Sequence, residues 1–162
     1  MRDIWGLKME MSSEGILFLK QEEGFRATPY KDGNGFATIG FGHKVKAGEC
    51  FGAISSVEAT ALLERDLAVA EKCINDNVHV PITQSMFDAL CSFVYNIGCA
   101  GFMGSQVLFH LNNKEYDLAA DAFMNWHRPN LEGRRKREIA LFKGDGNASW
   151  DSSGAVLPKA EG

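Results

Sequence analysis

The chain has 162 residues, a length that allows one compact unit with a substantial buried core. Hydrophobic residues make up 45% and charged residues 23%, a balance that is typical of globular proteins and excludes intrinsic disorder. The net charge of −4 gives no general attraction to nucleic acid or to an anionic membrane. We therefore expect a single domain over residues 1–162, a monomer, and no nucleic-acid partner.

The N-terminal segment bears on where the protein is made. Residues 1–13 carry four charged side chains and lack the apolar block of a signal peptide. No stretch of the chain reaches the roughly 18 apolar residues that a transmembrane helix requires. We expect synthesis in a cytoplasm and no membrane insertion, so a substrate beyond the membrane would have to be reached with the help of another protein.

The cysteines and histidines are the candidate ligands for a metal. The four cysteines are Cys50, Cys73, Cys91 and Cys99. They form no CxxC pair and no zinc-ligand spacing, and His79, His110 and His127 lack a metal-binding spacing too. We expect no metal and no other cofactor. In a reducing compartment the cysteines are expected to be small buried apolar residues, although a Cys91–Cys99 disulfide remains open.

The N-terminal third predicts a helix followed by a small sheet. Ser12 or Ser13 can cap a helix that runs from Glu14 to Glu23, and Gly24 is a natural stop signal. Residues 32–35 (DGNG) form a strong turn signal, and residues 36–41 have the pattern of the second arm of a hairpin. Further glycines predict that the sheet extends to about Ile54.

The remainder of the chain is predicted to be helical. Ser55 and Glu58 form a capping box that opens a long helix ending near Asn75. After Pro81 the predicted helices cover residues 84–97, 105–111, 115–126 and 133–142. The tail from Asp145 is rich in Gly, Ser, Asp and Asn, which predicts loose order.

The predicted fold class is therefore α+β and mostly helical. The elements divide into a small hairpin lobe (about 13–54), a linking helix (about 56–76) and a helical lobe (about 80–144). A cleft between two lobes is a favoured place for a ligand.

Two acidic residues of the hairpin lobe, Glu23 and Asp32, have contrasting predicted surroundings. Glu23 ends the first helix and continues the apolar stripe of Ile16 and Leu19, whereas Glu22 falls on another face. Partial burial and the negative end of the helix dipole favour the protonated form of Glu23. Asp32 lies in a turn near free N–H groups and water, so it should stay ionised. A neutral acid beside an ionised one suits glycoside hydrolysis, although a solvated Glu and a turn Asp are the commoner interpretation of such residues.

Three short motifs follow one another between residues 23 and 43. They are E-G at Glu23, Y-x-D-x-x-G from Tyr30, and T-I-G-x-G-H from Thr38. Together with the spacing E-x8-D-x5-T, they resemble the signature of the phage lysozymes of glycoside hydrolase family 24. The resemblance implies that Glu23 is the general acid, that Asp32 positions water or stabilises positive charge, and that Thr38 assists at the same face.

The resemblance extends over most of the chain. Residues 93–98 (FVYNIG) and 131–138 (LEGRRKRE) resemble two further family motifs, and Asn130 stands where members commonly have Gly. The resemblance implies a lysozyme-like fold with the active-site cleft between the lobes, and sugar contacts by Tyr95 and Ser105. The implied reaction is hydrolysis of the β-1,4 bond between N-acetylmuramic acid and N-acetylglucosamine in peptidoglycan, which would lyse the host cell.

Some relatives carry an apolar N-terminal signal-anchor, and this chain departs from them in that respect. The implied route is therefore synthesis in the host cytoplasm and action on the cell wall after release by a separate membrane-permeabilising protein. The only binding partner that the resemblance implies is peptidoglycan.

Two other features carry weaker expectations. His43 has no nearby nucleophile motif and is expected to hold the hairpin through a hydrogen bond or a salt bridge. The basic run Arg134–Arg137 is expected to be a solvated helix face, although Arg134 and Arg135 are also placed to pair with acids between the lobes.

Two alternative functions remain open. A lytic transglycosylase would cut the same bond without water and would typically use one acid, so Asp32 and Thr38 at the family spacing favour hydrolysis. A glycan-binding module without activity would have no reason to keep Glu23, Asp32 and Thr38 together. A zinc amidase lacks the ligand spacing that it would need.

Overall fold

The structure is a computed structural model that describes residues 8–144. The strands are β1 (Arg26–Lys31), β2 (Ala37–Gly40) and β3 (His43–Lys44). The helices are α1 (Ser13–Glu23), α2 (Ser56–Asn77), α3 (Gln84–Ile97), α4 (Cys99–Met103), α5 (Gln106–Asn112), α6 (Tyr116–Ala122) and α7 (Glu132–Phe142), with a 3₁₀-helix (Phe123–Trp126) between α6 and α7. The predicted α+β, mostly helical class is confirmed, and the predicted loose tail from Asp145 lies outside the described residues.

Helix α1 begins and ends at the predicted signals. The Ser12 hydroxyl accepts a hydrogen bond from the Gly15 N–H at 3.0 Å, which satisfies one of the free donors of the first turn. Gly24 adopts φ +69, a backbone conformation that a residue with a side chain rarely adopts, and its N–H donates to the Lys20 carbonyl. The helix therefore ends at Glu23, directly before β1.

The sheet is antiparallel with the order β1-β2-β3. Tyr30 on β1 pairs with Thr38 on β2, and the intervening turn is closed by the Asp32 N–H, which donates to the Phe36 carbonyl at 2.9 Å. The predicted extension of the sheet to Ile54 is wrong, because the last strand ends at Lys44. Beyond it the Glu49 carboxylate accepts the N–H of Lys46 at 2.7 Å, which closes a turn in place of strand pairing.

Helix α2 links the sheet to the remaining helices. The Ser55 hydroxyl accepts the N–H of Glu58 at 3.1 Å, as the predicted capping box requires. Its inner face carries buried residues at helical spacing, including Leu63, Leu67, Ala70 and Ile74. The helix ends at Asn77, two residues beyond the expected end.

Helix α3 occupies the centre of the helical part, and its predicted bounds are confirmed. The predicted 115–126 helix changes to 3₁₀ geometry after Ala122, and α4 was not predicted because five residues are too few to show a period. One buried apolar cluster includes Ile39 of the sheet as well as Phe93 and Phe123 of the helices. Within residues 8–144, no helix combines the length and apolar character needed to cross a membrane.

The cysteine expectation is partly wrong. Cys73 on α2 forms a disulfide with Cys99 at the start of α4, so neither Cys73 nor Cys99 is unpaired and Cys91 is not the partner of Cys99. Cys91 is buried as expected, but Cys50 is exposed. Helical periodicity places Cys73 on the buried face of α2 but does not reveal which part of the chain packs beside it. Closure of a loop between residues 26 apart stabilises a fold by about 3.5 kcal/mol in the chain-entropy model.

Candidate active site

Glu23 lies at the end of α1 with its side chain 16% exposed. Its Oε1 accepts a hydrogen bond from Arg134 Nη1 of α7 at 2.8 Å. On the other side stands the backbone of Gly42, where an added Cβ would lie only 2.5 Å from Glu23 Oε2. The carboxyl group is therefore fixed between a guanidinium and a glycine backbone, and part of it remains open to solvent.

Asp32 lies at the tip of the hairpin. Its Oδ1 accepts the N–H groups of Asn34 and Phe36, both at 2.9 Å, and its Oδ2 lies 4.0 Å from Lys44 Nζ. The Phe36 hydrogen bond is the largest cause of a lowered Asp32 pKa, and the Asn34 hydrogen bond and Lys44 add to it. The prediction that Asp32 stays ionised is consistent with this geometry.

Thr38 is buried on β2, one residue inside the strand. Its hydroxyl donates to the Phe36 carbonyl at 3.0 Å, and Phe36 is the residue whose N–H binds Asp32. The peptide groups of Phe36 thus bring Thr38 and Asp32 together. Because the Thr38 hydroxyl proton is already donated to Phe36, the hydroxyl can only accept a hydrogen bond from a water molecule.

Tyr30 connects the two carboxylates electrostatically. Its phenol has a raised pKa, caused first by burial and next by the charge of Glu23. Arg26 opposes the rise and Asp32 adds to it. Both carboxylates therefore act on the same phenol.

Tyr95 and Ser105 were expected to contact sugar. Tyr95 lies near Glu23, whereas the Ser105 hydroxyl is already hydrogen-bonded at the start of α5. The Tyr95 hydroxyl donates to the Phe41 carbonyl at 2.9 Å, and burial followed by the charge of Glu23 raises the Tyr95 pKa. The Ser105 hydroxyl caps α5 by accepting the Leu108 N–H at 3.2 Å, and it donates to the Phe102 carbonyl at 2.7 Å. A sugar contact by Ser105 would have to compete with both bonds.

A cavity of about 220 Å³ adjoins this group of residues. Its lining includes Gly42, Lys44, Asp66, Val69, Val94 and Tyr95. Neither carboxyl lines the cavity, but Gly42 abuts Glu23 and Lys44 lies 4.0 Å from Asp32, so the cavity wall adjoins both. A concave, mostly apolar surface with a few polar groups beside a carboxyl pair is suited to binding a saccharide.

His43 has the structural role that was predicted. The buried imidazole lies with Nδ1 2.6 Å from Asp66 Oδ2 on α2 and Nε2 3.0 Å from Glu49 Oε1. These contacts tie β3 to the long helix and to the loop that follows the sheet. Among residues 8–144, no group of three or more His, Cys, Asp or Glu side chains is arranged to hold a metal ion.

The basic run on α7 differs from the expected solvated face. Arg134 and Arg135 are buried and contact the fully buried Glu138, and Arg137 pairs with Glu22. The expectation of a solvated face is therefore wrong for Arg134 and Arg135. The expected pairing with acids between the lobes is confirmed for Arg134, which contacts Glu23, but Arg135 pairs with Glu138 of its own helix. The sequence argument missed Glu22 and Glu138 as the partners, although the spacing of residues 134, 135 and 138 places them close together on one helix.

We expect Gly42→Ala to reduce the rate of lysis by about 100-fold, because a displacement of about 1 Å at a reacting group has a cost of that size. The new methyl would meet Glu23 Oε2, and the φ of +79 at Gly42 disfavours a side chain. The matched control is Gly52→Ala, since a Cβ at Gly52 meets nothing within 4 Å. Wild-type rates in Gly42→Ala would show that Gly42 does not constrain Glu23.

Comparison with known proteins identifies the family of this chain. The model of the phage lysozyme family matches residues 20–138. The endolysin of Salmonella phage P22 is 44% identical over 143 residues, which span 83% of this chain and 98% of that protein. A solved mutant of P22 lysozyme has a TM-score of 0.74 at 42% identity and covers 83% of this chain and 99% of its own. The muramidase domain of SpmX from Asticaccaulis excentricus has a TM-score of 0.75 at 35% identity, with 82% and 97% covered. The chain belongs to the phage lysozyme family.

Proposed function

We propose that this chain is an endolysin that hydrolyses the β-1,4 bond between N-acetylmuramic acid and N-acetylglucosamine in peptidoglycan. The observation that carries the proposal is the contrast between the surroundings of two carboxyl groups. Asp32 is held as a carboxylate by two N–H donors, whereas Glu23 stands partly buried between Gly42 and Arg134. The P22 relative is named an endolysin and the SpmX domain a muramidase, which supports the same activity.

The proposed roles follow from the contacts of each group. Glu23 donates its proton to the departing glycosidic oxygen, and the Arg134 guanidinium at 2.8 Å then stabilises the carboxylate that forms. Asp32 stabilises the positive charge that develops at the sugar or directs the attacking water. Thr38 accepts a hydrogen bond from that water.

The cavity beside Glu23 is the proposed place for part of the glycan strand. In this proposal the Tyr95 ring forms a wall for a sugar, since its hydroxyl is held by Phe41. Ser105 contributes a secondary contact. No metal or cofactor is assigned a role in this reaction.

We also propose how the whole chain acts. It works as a monomeric domain over residues 1–162, with lobes at about 13–54 and 80–144 and a linking helix at about 56–76. An apolar cluster among residues 8–144 joins sheet and helices, which supports one domain. Its partner is the peptidoglycan strand, with no nucleic acid and no membrane insertion, and it reaches the wall from the host cytoplasm after a separate protein permeabilises the membrane.

The test is lysis of cells stripped of their outer membrane, followed by mass spectrometry of the soluble fragments. Hydrolysis is expected to yield fragments that end in a reducing muramic acid that has gained water. Anhydromuramic ends would indicate a lytic transglycosylase instead. Binding to the wall without fragments would indicate a glycan-binding module and would overturn the proposal.

A further inference from the structure

The Arg134 guanidinium contacts four acceptors, one of which is the Ser92 hydroxyl at 3.3 Å from Nη2. Nη1 donates to Glu23 Oε1 at 2.8 Å, Nε donates to Glu138 Oε2 at 3.2 Å, and Nη2 donates to the Ser92 carbonyl at 3.0 Å. Burial disfavours the charge of Arg134, but the carboxylates of Glu138 and Glu23 outweigh burial and raise the Arg134 pKa. One cation is therefore shared between the proposed acid and a second carboxylate.

Glu138 is held from several sides although it is fully buried. Its Oε2 accepts the Ser92 hydroxyl at 2.6 Å in addition to Arg134, and its Oε1 accepts Arg135 Nη1. Arg135 is anchored in turn by the Trp126 carbonyl at 3.2 Å and by Asn96. These bonds leave the Glu138 carboxylate little freedom to move relative to Arg134.

The charges of this cluster balance only when Glu23 is ionised. Arg134 and Arg135 contribute two positive charges, and Glu138 and Glu23 contribute two negative ones. When Glu23 holds its proton, one positive charge in a buried setting lacks a partner, which is costly. Without Glu138 the excess of positive charge beside Glu23 would be larger.

The other groups that face Glu23 do not supply a negative charge that balances Arg134. Tyr30 on β1 and Tyr95 on α3 are phenols with raised pKa values, so they are neutral near pH 7. The adjacent Glu22 is paired with Arg137 of α7. Glu22 also raises the Arg134 pKa, but Glu138 is the carboxylate besides Glu23 that accepts a hydrogen bond from Arg134.

We propose that Glu138 is a positioning residue for the reaction: it fixes the Arg134 guanidinium and takes up part of its charge, so that Glu23 can hold the proton that it donates. This inference rests on the proposed role of Glu23. Glu138 itself acts through Arg134 and from outside the cavity beside Glu23, whose lining does not include it.

The test is the pH dependence of peptidoglycan hydrolysis in the full-length protein, over the range in which circular dichroism shows an intact fold. The rate falls at alkaline pH where the general acid loses its proton. Glu138→Gln removes a negative charge, so the alkaline limb is expected to move to lower pH by about one unit, the lower end of the range for a charge at close distance.

Ser92→Ala is expected to shift the alkaline limb in the opposite direction, because the Ser92 side chain contacts the same Glu138 carboxylate. Loss of the hydroxyl removes the 2.6 Å hydrogen bond that it donates to Glu138 and the longer 3.3 Å one that it accepts from Arg134 Nη2. Because the shorter bond has the larger effect, more of the Glu138 charge acts on Arg134, and the alkaline limb is expected to move to higher pH. The change is neutral and small, and it carries the test alone if Glu138→Gln does not fold. If Glu138 and Ser92 had a structural role alone, the two variants would lower the melting temperature and the rate. They would not shift the alkaline limb in opposite directions.

The matched control is Glu132→Gln, on the same helix. Glu132 is exposed and pairs with Lys136, so its change should leave the pH profile as in the wild type. An alkaline limb that does not move in Ser92→Ala, or in a folded Glu138→Gln, overturns the inference. If instead the proposed role of Glu23 is wrong, Glu23→Gln is expected to keep full activity at every pH.

Discussion

Replacement of Glu23 by Gln is expected to reduce the rate of lysis by about 10²–10⁴-fold, the contribution typical of general acid catalysis. An amide has nearly the same shape as the carboxyl group but cannot donate the proton that the leaving oxygen requires. Its carbonyl oxygen can still accept the hydrogen bond from Arg134 Nη1. We therefore expect the melting temperature to stay close to the wild-type value, as measured by circular dichroism beside a turbidity assay of lysis.

Two further variants on α1 separate chemistry from stability. Glu14 is exposed in the first turn, so Glu14→Gln should change neither the rate nor the melting temperature. Glu22 lies on another helix face, but its side chain is only 7% exposed and pairs with Arg137. Glu22→Gln should therefore lower the melting temperature and leave most of the activity. Equal losses of activity in the Glu22 and Glu23 variants would show that the acid is wrongly assigned.

Local signals account for the parts of the fold that could be predicted. Helices α1, α2 and α3 begin at Ser or Thr caps and bury residues at helical spacing, so their bounds follow from neighbouring residues. The hairpin turn at Asp32 is equally local, because its hydrogen bonds join residues no more than four apart. The candidate pair of carboxyl groups could be predicted because both belong to such local elements.

The remaining features depend on contacts between distant parts of the chain. Arg134 meets Glu23 across 111 positions, and Cys73 meets Cys99 across 26. A run of four cations has the pattern of a solvated surface until the packing of α7 against α3 shows that two of them are buried. The pairs of Arg134 with Glu23 and of Arg137 with Glu22 depend on how distant elements pack, which sequence periodicity does not determine.

Asp32→Asn is expected to reduce the rate of hydrolysis by about 10²–10³-fold, the loss typical when one preorganised electrostatic group is removed from an active site. The carbonyl oxygen of Asn can still accept the N–H groups of Asn34 and Phe36, so the turn should persist. What is lost is the negative charge that stabilises positive charge at the sugar or directs water. Because the Asp32 pKa is lowered, mainly by the Phe36 hydrogen bond, the wild-type carboxylate should stay charged as pH falls through the usual range for aspartate, about 3.9.

Asp76→Asn is the matched control for this change. Asp76 also has a lowered pKa, caused first by its hydrogen bond to Lys72, but it lies on an exposed part of α2. The same substitution there removes a charge of the same kind, so any general effect of net charge on binding to the wall should be equal in the two variants. A lower rate in Asp32→Asn alone, measured on purified peptidoglycan, would locate the effect at the hairpin. Wild-type hydrolysis by Asp32→Asn would mean that Glu23 acts without a second carboxylate, because no charge would then remain at residue 32 to direct water or stabilise the sugar.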